Sequence, residues 1–361
     1  MEISELGEFG LIKRLTEGIV PENQSTEKGI GDDCAVLNYG GDKRILVTTD
    51  MLMEGIHFDL QYTPLKHLGW KSIMVNLSDV YAMNGTPRQA TVSLALSKRF
   101  TVEDIEELYA GMRLACMEHH VDLVGGDTTS SLTGLAISIT VIGEAKSDEV
   151  AYRSGAHPTD LVCVSGNLGA AYMGLQLLER EKAVYNSQVD KLTSKQVDKL
   201  DGDESNNPSA IDDFQPDFSG REYLLERQLR PEARRDIIER LRQADIRPTS
   251  MMDISDGLSS ELMHICTQSN TGCRIYEERI PLDYQTAAMA EELNMNVTTC
   301  AMNGGEDYEL LFTVPLTLND KVSQIEDVHV IGYITEPALG RYLITRDGQE
   351  FELKAQGWNP L

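Results

Sequence analysis

Gly125-Gly126-Asp127-Thr128-Thr129 follows the largely apolar Val121 to Val124, and its reading decides how the rest of the chain is arranged. A short apolar run predicts a buried strand, and two glycines at its end bring bare backbone amides close to whatever binds there. Amides in such a turn favour an anion, and the aspartate favours a metal or a donor, a combination that suits a phosphate carried by a metal ion. The same residues also serve a plain strand-ending turn with an Asx cap. What separates the two readings is that carboxylates recur at strand ends and turns elsewhere.

Gly29-Ile30-Gly31-Asp32-Asp33-Cys34-Ala35-Val36-Leu37 reads as a glycine turn running into a strand. Neighbours in a strand point to opposite faces, so only one of Asp32 and Asp33 enters any one site, and Asp33, nearer the strand, is the choice. Ile45-Leu46-Val47-Thr48-Thr49-Asp50 is a β-branched run ending in a carboxylate, with Thr48 and Thr49 adding oxygen ligands beside it. Lys66 to Met83 predicts a helix whose apolar face carries Leu68, Ile73, Leu77 and Val80, stopped by Gly85-Thr86-Pro87. Asn76 and Asp79 project from one side of it. An aspartate among apolar neighbours is costly to bury unless it is paired or bound to metal. Pro248 to Ser259 predicts a strand turning sharply into a helix that runs to about Gly272, with Asp253 and Asp256 bracketing Ser255. Gly304-Gly305-Glu306-Asp307-Tyr308-Glu309-Leu310 repeats the glycine-then-acid pattern at a strand start.

Between these centres the reading is coarser. Residues 1–20 suit a short amphipathic helix after Gly7, Ala90 to Ser97 a strand, Thr101 to about His120 a capped helix, and Leu135 to Gly143 another strand. A first unit, residues 1–145, closes there, and a second covers 146–361. Arg153 begins the second either as a phosphate fork or as the partner of one of the many acids. Leu161 to Ser165 is a strand, and Gly166-Asn167-Leu168-Gly169 opens a helix through about Glu181. Residues 183–222, dominated by Asp, Ser, Asn, Gln and Lys, read as a solvated, partly disordered acidic insertion. Pro231 is expected near the first turn of the next helix.

The 361 residues are enough for two cores, and 58 acids against 32 bases give a net charge of −26. Such a chain repels a nucleic-acid backbone or an anionic membrane surface, and neither is expected as a partner. The six cysteines have no C-x-x-C pair and no zinc spacing. Free thiols, the absence of a signal-like N-terminus and the lack of an apolar run near the roughly 20 residues of a membrane span predict a cytoplasmic protein.

If Asp33, Asp50, Asp79, Asp127, Asp253 and Asp256 converge, only protons or divalent cations can relieve their repulsion. Magnesium is the expected ion, bridging carboxylates to the phosphates of a nucleoside triphosphate. No G-x-x-x-x-G-K-[ST] loop, kinase H-R-D or D-F-G, or G-x-S-x-G elbow is present. Phosphoryl transfer needs no side-chain nucleophile, so none is assigned.

G-I-G-D-D-C-A-V from Gly29, T-T-D-M-L-M-E-G-I-H-F from Thr48, N-L-S-D from Asn76, G-G-D-T-T from Gly125, R-S-G-A from Arg153, D-I-S-D-G-L from Asp253 and G-G-E-D-Y-E-L from Gly304 closely resemble the thiamine-monophosphate kinase family. The wider superfamily includes aminoimidazole ribonucleotide synthetase and selenophosphate synthetase. The resemblance implies two mixed α/β domains of that synthetase-like fold, an N-terminal ATP- and metal-binding domain that forms a homodimer, and ATP-dependent conversion of thiamine monophosphate to thiamine diphosphate. It implies that Asp33, Thr48, Thr49, Asp50, Asp79, Asp127, Asp253 and Asp256 hold several magnesium ions, and that Gly126, Asp127, Arg153 and Ser255 contact ATP. His57, Glu306 and Trp358 would contact thiamine monophosphate, whose cationic ring suits a carboxylate and an aromatic face. The chain departs from the family pattern chiefly in the length and acidity of residues 183–222. A superfamily synthetase that activates an amide or selenide oxygen is the rival, and G-G-E-D-Y-E-L with His57 speaks against it.

Overall fold

The computed structural model describes residues 3–197 and 216–354, so Trp358 and residues 198–215 of the polar stretch lie outside the described residues. Helix α1, Ile3–Thr16, comes first and is broken at Gly7, where φ is 64°. Six strands then form one sheet: β1 (Thr26–Lys28), β2 (Ala35–Leu37), β3 (Lys43–Met53), β4 (Thr86–Leu96), β5 (Asp122–Ser130) and β6 (Ala136–Lys146), ordered β1-β2-β3-β6-β4-β5. Strands β3 and β6 pair antiparallel without a break, from Lys43 opposite Lys146 to Met53 opposite Ala136. Strand β5 runs parallel to β4 at the edge.

Alternation along these strands separates two faces. Leu46, Thr48 and Leu52 of β3, Val92 and Leu94 of β4, and Ile137, Ile139 and Val141 of β6 are buried. They face helix α2, Leu65–Ala82, against which helix α3, Val102–His119, packs. Helix α3 starts where expected because Thr101 and Asp104 form a reciprocal capping box. Thr49, Met51 and Met53, in the alternate positions of β3, are exposed.

The second unit has a seven-stranded sheet ordered β13-β12-β9-β11-β7-β10-β8, from β7 (Leu161–Ser165), β8 (Ser250–Ile254), β9 (Gly272–Tyr276), β10 (Glu309–Val314), β11 (Val328–Thr335), β12 (Arg341–Ile344) and β13 (Glu350–Glu352). Its helices include α4 (Ala170–Val197), α5 (Glu222–Leu229), α6 (Arg235–Gln243) and α7 (Leu258–Gln268). Every residue of β7, β8 and β10 is buried, as in a sheet covered on both faces. Val162, Val164, Met252, Ile254 and Leu311 pack with Leu258, Leu262 and Ile265 of α7. The alternate residues Leu161, Cys163, Met251, Leu310 and Phe312 join one continuous core with α2 and the first sheet. Asp253 belongs to that second row, so it faces α2. Helix α2 is therefore enclosed on all sides, which explains why it is apolar around most of its circumference.

Three local expectations are corrected. The strand read as ending at Gly125 continues through Gly-Gly-Asp-Thr-Thr to Ser130, and it is an exposed edge strand because only β4 pairs with it. The helix expected to stop near Glu181 runs to Val197, since no glycine or proline interrupts Ala183 to Val197. Pro231 follows the end of α5 instead of opening the next helix, which starts at Arg235. Its carbonyl accepts the indole N–H of Trp70 at 2.7 Å, a tertiary use that no local pattern announces. No helix among the described residues is long and apolar enough to cross a membrane.

Helices α2 and α3 cross where each presents a glycine. A Cβ at Gly69 would stand 1.9 Å from the Leu108 carbonyl oxygen, and one at Gly111 1.9 Å from that of Lys66. Gly69→Ala should therefore push the helices apart and destabilise the protein by about 1–3 kcal/mol, read as a lower denaturation midpoint. An unchanged midpoint would show that the crossing is loose.

Candidate active site

The two units meet at a group of carboxylates delivered by four separate elements. Strand β3 supplies Thr48 and Asp50, α2 supplies Asp79, the turn before β2 supplies Asp33, and β8 supplies Asp253. One oxygen each of Asp33, Asp79 and Asp253 lie within 4.8 Å of one another. Neighbouring groups hold them in place. The Thr48 hydroxyl donates to Asp79 at 2.5 Å, the Ser78 hydroxyl donates to Asp253 at 2.5 Å, and the Asp50 amide donates to the Asn76 side-chain oxygen at 3.0 Å. Arg153 donates through Nε at 3.1 Å and Nη2 at 2.6 Å to one oxygen of Asp33. Its own amide donates to Asp32 at 3.0 Å, and Lys28 lies 3.6 Å from that second acid. The arginine thus makes the ion pair that the sequence left as one of two choices.

Burial is the main force on these groups, and it pushes their carboxyls above the usual range. Asp33 is raised to about 7 by burial, with Arg153 opposing the shift and the charge of Asp253 adding to it. Asp79 is raised well above its ordinary value by burial and then by Asp50, Asp253 and Asp33. Asp50 and Asp253 are raised by burial as well. One cationic group, Arg153, cannot balance this concentration of negative charge. The second oxygen of Asp33 is buried without a hydrogen-bond partner. An orphaned carboxylate oxygen among hard oxygen donors fits a divalent cation of the alkaline-earth kind.

The acids of the second unit are tied to backbone. Glu306 and Tyr308 donate their amides to the carbonyls of Ser255 at 2.7 Å and Ile254 at 2.8 Å, locking the Gly304–Tyr308 segment onto the Asp253–Asp256 loop. That contact requires glycine, since a Cβ at Gly305 would stand 2.6 Å from the Ser255 oxygen. The Asp256 amide donates to Glu261 at 2.8 Å. Asp307 accepts the Gly169 amide at 2.7 Å ahead of α4, and Glu309 is fully buried between Arg227 and Arg234. These last two acids are structural.

The first sheet divides the residues expected to share metal. Thr48 and Asp50 point toward α2, whereas Thr49 is exposed on the other face, where it accepts from the Thr140 hydroxyl at 3.1 Å. Asp127 is exposed and ends the row Met51, Ser138, Ser93, Asp127 across the sheet. Within one chain it stands three strands from β3, about 14 Å away. Gly126, its neighbour, has φ of 159°. His57 lies on the loop after β3, where its Nδ1 accepts the Met53 amide at 3.0 Å, and that bond leaves the other ring nitrogen as the N–H.

Residues 31–145 match the family described as AIR synthase related protein, N-terminal domain. The thiamine-monophosphate kinase of Aquifex aeolicus is 34% identical over 346 residues, 93% of this chain and 98% of the relative. That of Bacillus subtilis is 31% identical over 359 residues, 98% of this chain and 99% of the relative. The chain belongs to the thiamine-monophosphate kinase family. Similarity extends to the solved structure of AaThiL complexed with AMPPCP and TMP, with a TM-score of 0.78, 32% identity and coverage of 100% of this chain and 99% of that one.

Membership in the thiamine-monophosphate kinase family does not by itself pick out every residue the site uses. Sequence reading missed Ser78 and Glu261. The first stands beside Asp79, and no local pattern marks it. Glu261 lies in the first turn of α7, where an acid is common, yet it is buried, with one oxygen on the Asp256 amide and the other unpartnered. Its carboxyl is raised well above the usual range by burial and by Asp256.

Magnesium added to metal-free protein should raise the denaturation midpoint by about 3–5 °C at roughly 100 times its Kd. The cation must displace protons held by the raised carboxyls, so the rise should be larger at about pH 8 than at about pH 5.5. Asp79→Asn removes one of the crowded carboxyls, and should raise the metal-free midpoint by about 1–3 °C while abolishing the magnesium response. Differential scanning calorimetry decides, and an undiminished magnesium response in that variant would refute the cluster as the cation site.

Proposed function

We propose that the chain phosphorylates thiamine monophosphate with ATP, giving thiamine diphosphate and ADP. The observation that carries the reading is the convergence of Asp33, Asp79 and Asp253 between the two units, in a chain of this family. A terminal phosphate oxygen of thiamine monophosphate attacks the γ-phosphorus of ATP in line. The new O–P bond forms as the bond to the β-phosphate oxygen breaks, and ADP leaves with that electron pair. Magnesium held at the cluster would neutralise the phosphate oxygens as charge shifts toward the leaving group.

Asp33, Thr48, Asp50, Asp79, Asp253 and Asp256 are the residues assigned to hold it. Arg153 and Ser255 are assigned to ATP, with the guanidinium exchanging part of its hold on Asp33 for phosphate oxygen. His57 and Glu306 are assigned to thiamine monophosphate, together with Trp358 beyond the described residues. Thr49, Gly126 and Asp127 lie on or beside the uncovered sheet face. They contribute to metal and ATP if a second copy of the chain covers that face, so the reading includes a homodimer formed through the first unit, residues 1–145. Support for such an interface comes from Met51 and Val124, 59% and 57% exposed, together with the uncapped β5 edge. Six unpaired, buried thiols support a cytoplasmic setting.

Protein incubated with ATP, magnesium and thiamine monophosphate should yield thiamine diphosphate in step with ADP, as separated by chromatography. ATP consumed without thiamine diphosphate would overturn the acceptor. Asp50→Asn should lose about a hundredfold or more of the turnover while remaining folded, and wild-type turnover would remove Asp50 from the cation site.

Met51→Glu should convert the dimer to monomer in sedimentation velocity, because a charge is placed in the centre of the face. Wild-type protein sedimenting as a monomer would overturn the dimer.

A further inference from the structure

Lys71 is a lysine inside the protein. Its side chain is 3% exposed, on α2 between Trp70 and Ser72. An ammonium group is not buried without a partner, and the partner is Glu306, whose Oε1 lies 2.8 Å from Lys71 Nζ. Lys71 also donates to the Gln228 carbonyl at 3.3 Å, and the Gln228 side-chain amide donates to Oε2 of Glu306 at 2.9 Å. Each oxygen of this carboxylate thus has its own donor, one from α2 and one from α5. Two donors on two oxygens fix the plane of the carboxylate as well as its position.

Two further observations separate this arrangement from an ordinary structural ion pair. The first is asymmetry: Glu306 keeps 25% side-chain exposure while Lys71 keeps 3%, so the cation is the inner member of the pair and the acid the one nearer solvent. The second is strain. Glu306 has φ of 65° and Tyr308 φ of 50°, a region that bulky side chains rarely adopt. Strained backbone of this kind persists where the surroundings over-determine it, and it gathers at functional sites. By contrast, Glu309 nearby is paired to two arginines and fully buried.

We propose that Lys71, seconded by Gln228, is a positioning residue for the thiamine monophosphate end of the site, acting through Glu306. The inference rests on the assignment of Glu306 to the acceptor made above. Lys71 touches no substrate. It keeps Glu306 aimed, so that the acceptor meets a carboxylate whose orientation is already set.

The test is steady-state kinetics on the full chain with both substrates varied. Lys71→Met should raise KM for thiamine monophosphate roughly ten- to hundredfold, the factor expected for losing a charged hydrogen bond. Turnover should change by less than about threefold and KM for ATP should hold, the pattern of lost uniform binding. Lys71→Arg should recover part of the loss. Gln228→Met leaves the buried charge pair whole, and should raise the same constant about three- to tenfold even if Lys71→Met does not fold. Adding Glu306→Gln to Lys71→Met should cost little more than either change alone, because both act through one carboxylate. Calorimetric titration with thiamine monophosphate should show the same losses without turnover. Both KM values rising together, strictly additive effects in the cycle, or an unchanged acceptor KM in Gln228→Met and the Lys71 variants would overturn the positioning role. Wild-type protein that makes no thiamine diphosphate would instead overturn the functional reading on which it stands.

Discussion

Crowding carboxylates away from water is the constraint on which the rest of this structure depends. Asp33, Asp79 and Asp253 come within 4.8 Å of one another, and like charges at that range repel strongly once solvent is thinned. Nothing local can hold such a group together. It must be carried by a scaffold stiff enough to resist the repulsion, and α2 is that scaffold. The helix lies under the first sheet, against α3, and in the same core as β7, β8 and β10. From it project Asn76, Ser78 and Asp79, which hold β3, β8 and the cluster, and Lys71, which holds Glu306. A helix with a free polar face would have been cheaper to fold and too mobile to keep these groups aligned.

The period of two along β3 has a functional consequence. Thr48 and Asp50 go to the helix side, and Thr49 between them goes to the other. A run of threonine, threonine and aspartate therefore serves two surfaces, and the chemistry it supports is split unless both surfaces belong to one assembled site. Asp127 lies on the second surface by the same register, through Ser93 and Ser138. The sheet is thus a partition as well as a support.

This partition also marks where the sequence was legible and where it was not. Helix α2, the N-cap at Thr101 and strand β7 follow from local rules: apolar spacing, caps and a short apolar run. They could be read because each rule acts within a few residues. The course of β5 could not, because the glycines that ordinarily end a strand are tolerated at an edge where one neighbour supplies all the pairing. Lys71 and Gln228 lie 157 residues apart in sequence and meet only across α2 and α5. Glu261 is indistinguishable from a dipole-favouring acid until its burial is known. The motifs of the resemblance contain Asp33, Asp79 and Asp253, which the fold brings together, while tertiary structure alone shows what braces them.

The bracing has a geometric result that no single side chain determines. Strands β8 and β10 pair with Asp253 opposite Leu310 and Ile254 opposite Glu309. Beyond that ladder the amides of Tyr308 and Glu306 continue onto the carbonyls of Ile254 and Ser255. The loop bearing Asp253 and Asp256 and the segment bearing Glu306 are consequently one body, joined backbone to backbone, with glycines at 257 and 305 allowing the approach. A transfer between two phosphates depends on their separation to a fraction of an ångström. Here the spacing of the carboxylate end and the Glu306 end is written into strand register, which side-chain motion cannot alter. Positive φ at Glu306 and Tyr308 is the local cost of extending that register past the end of the sheet.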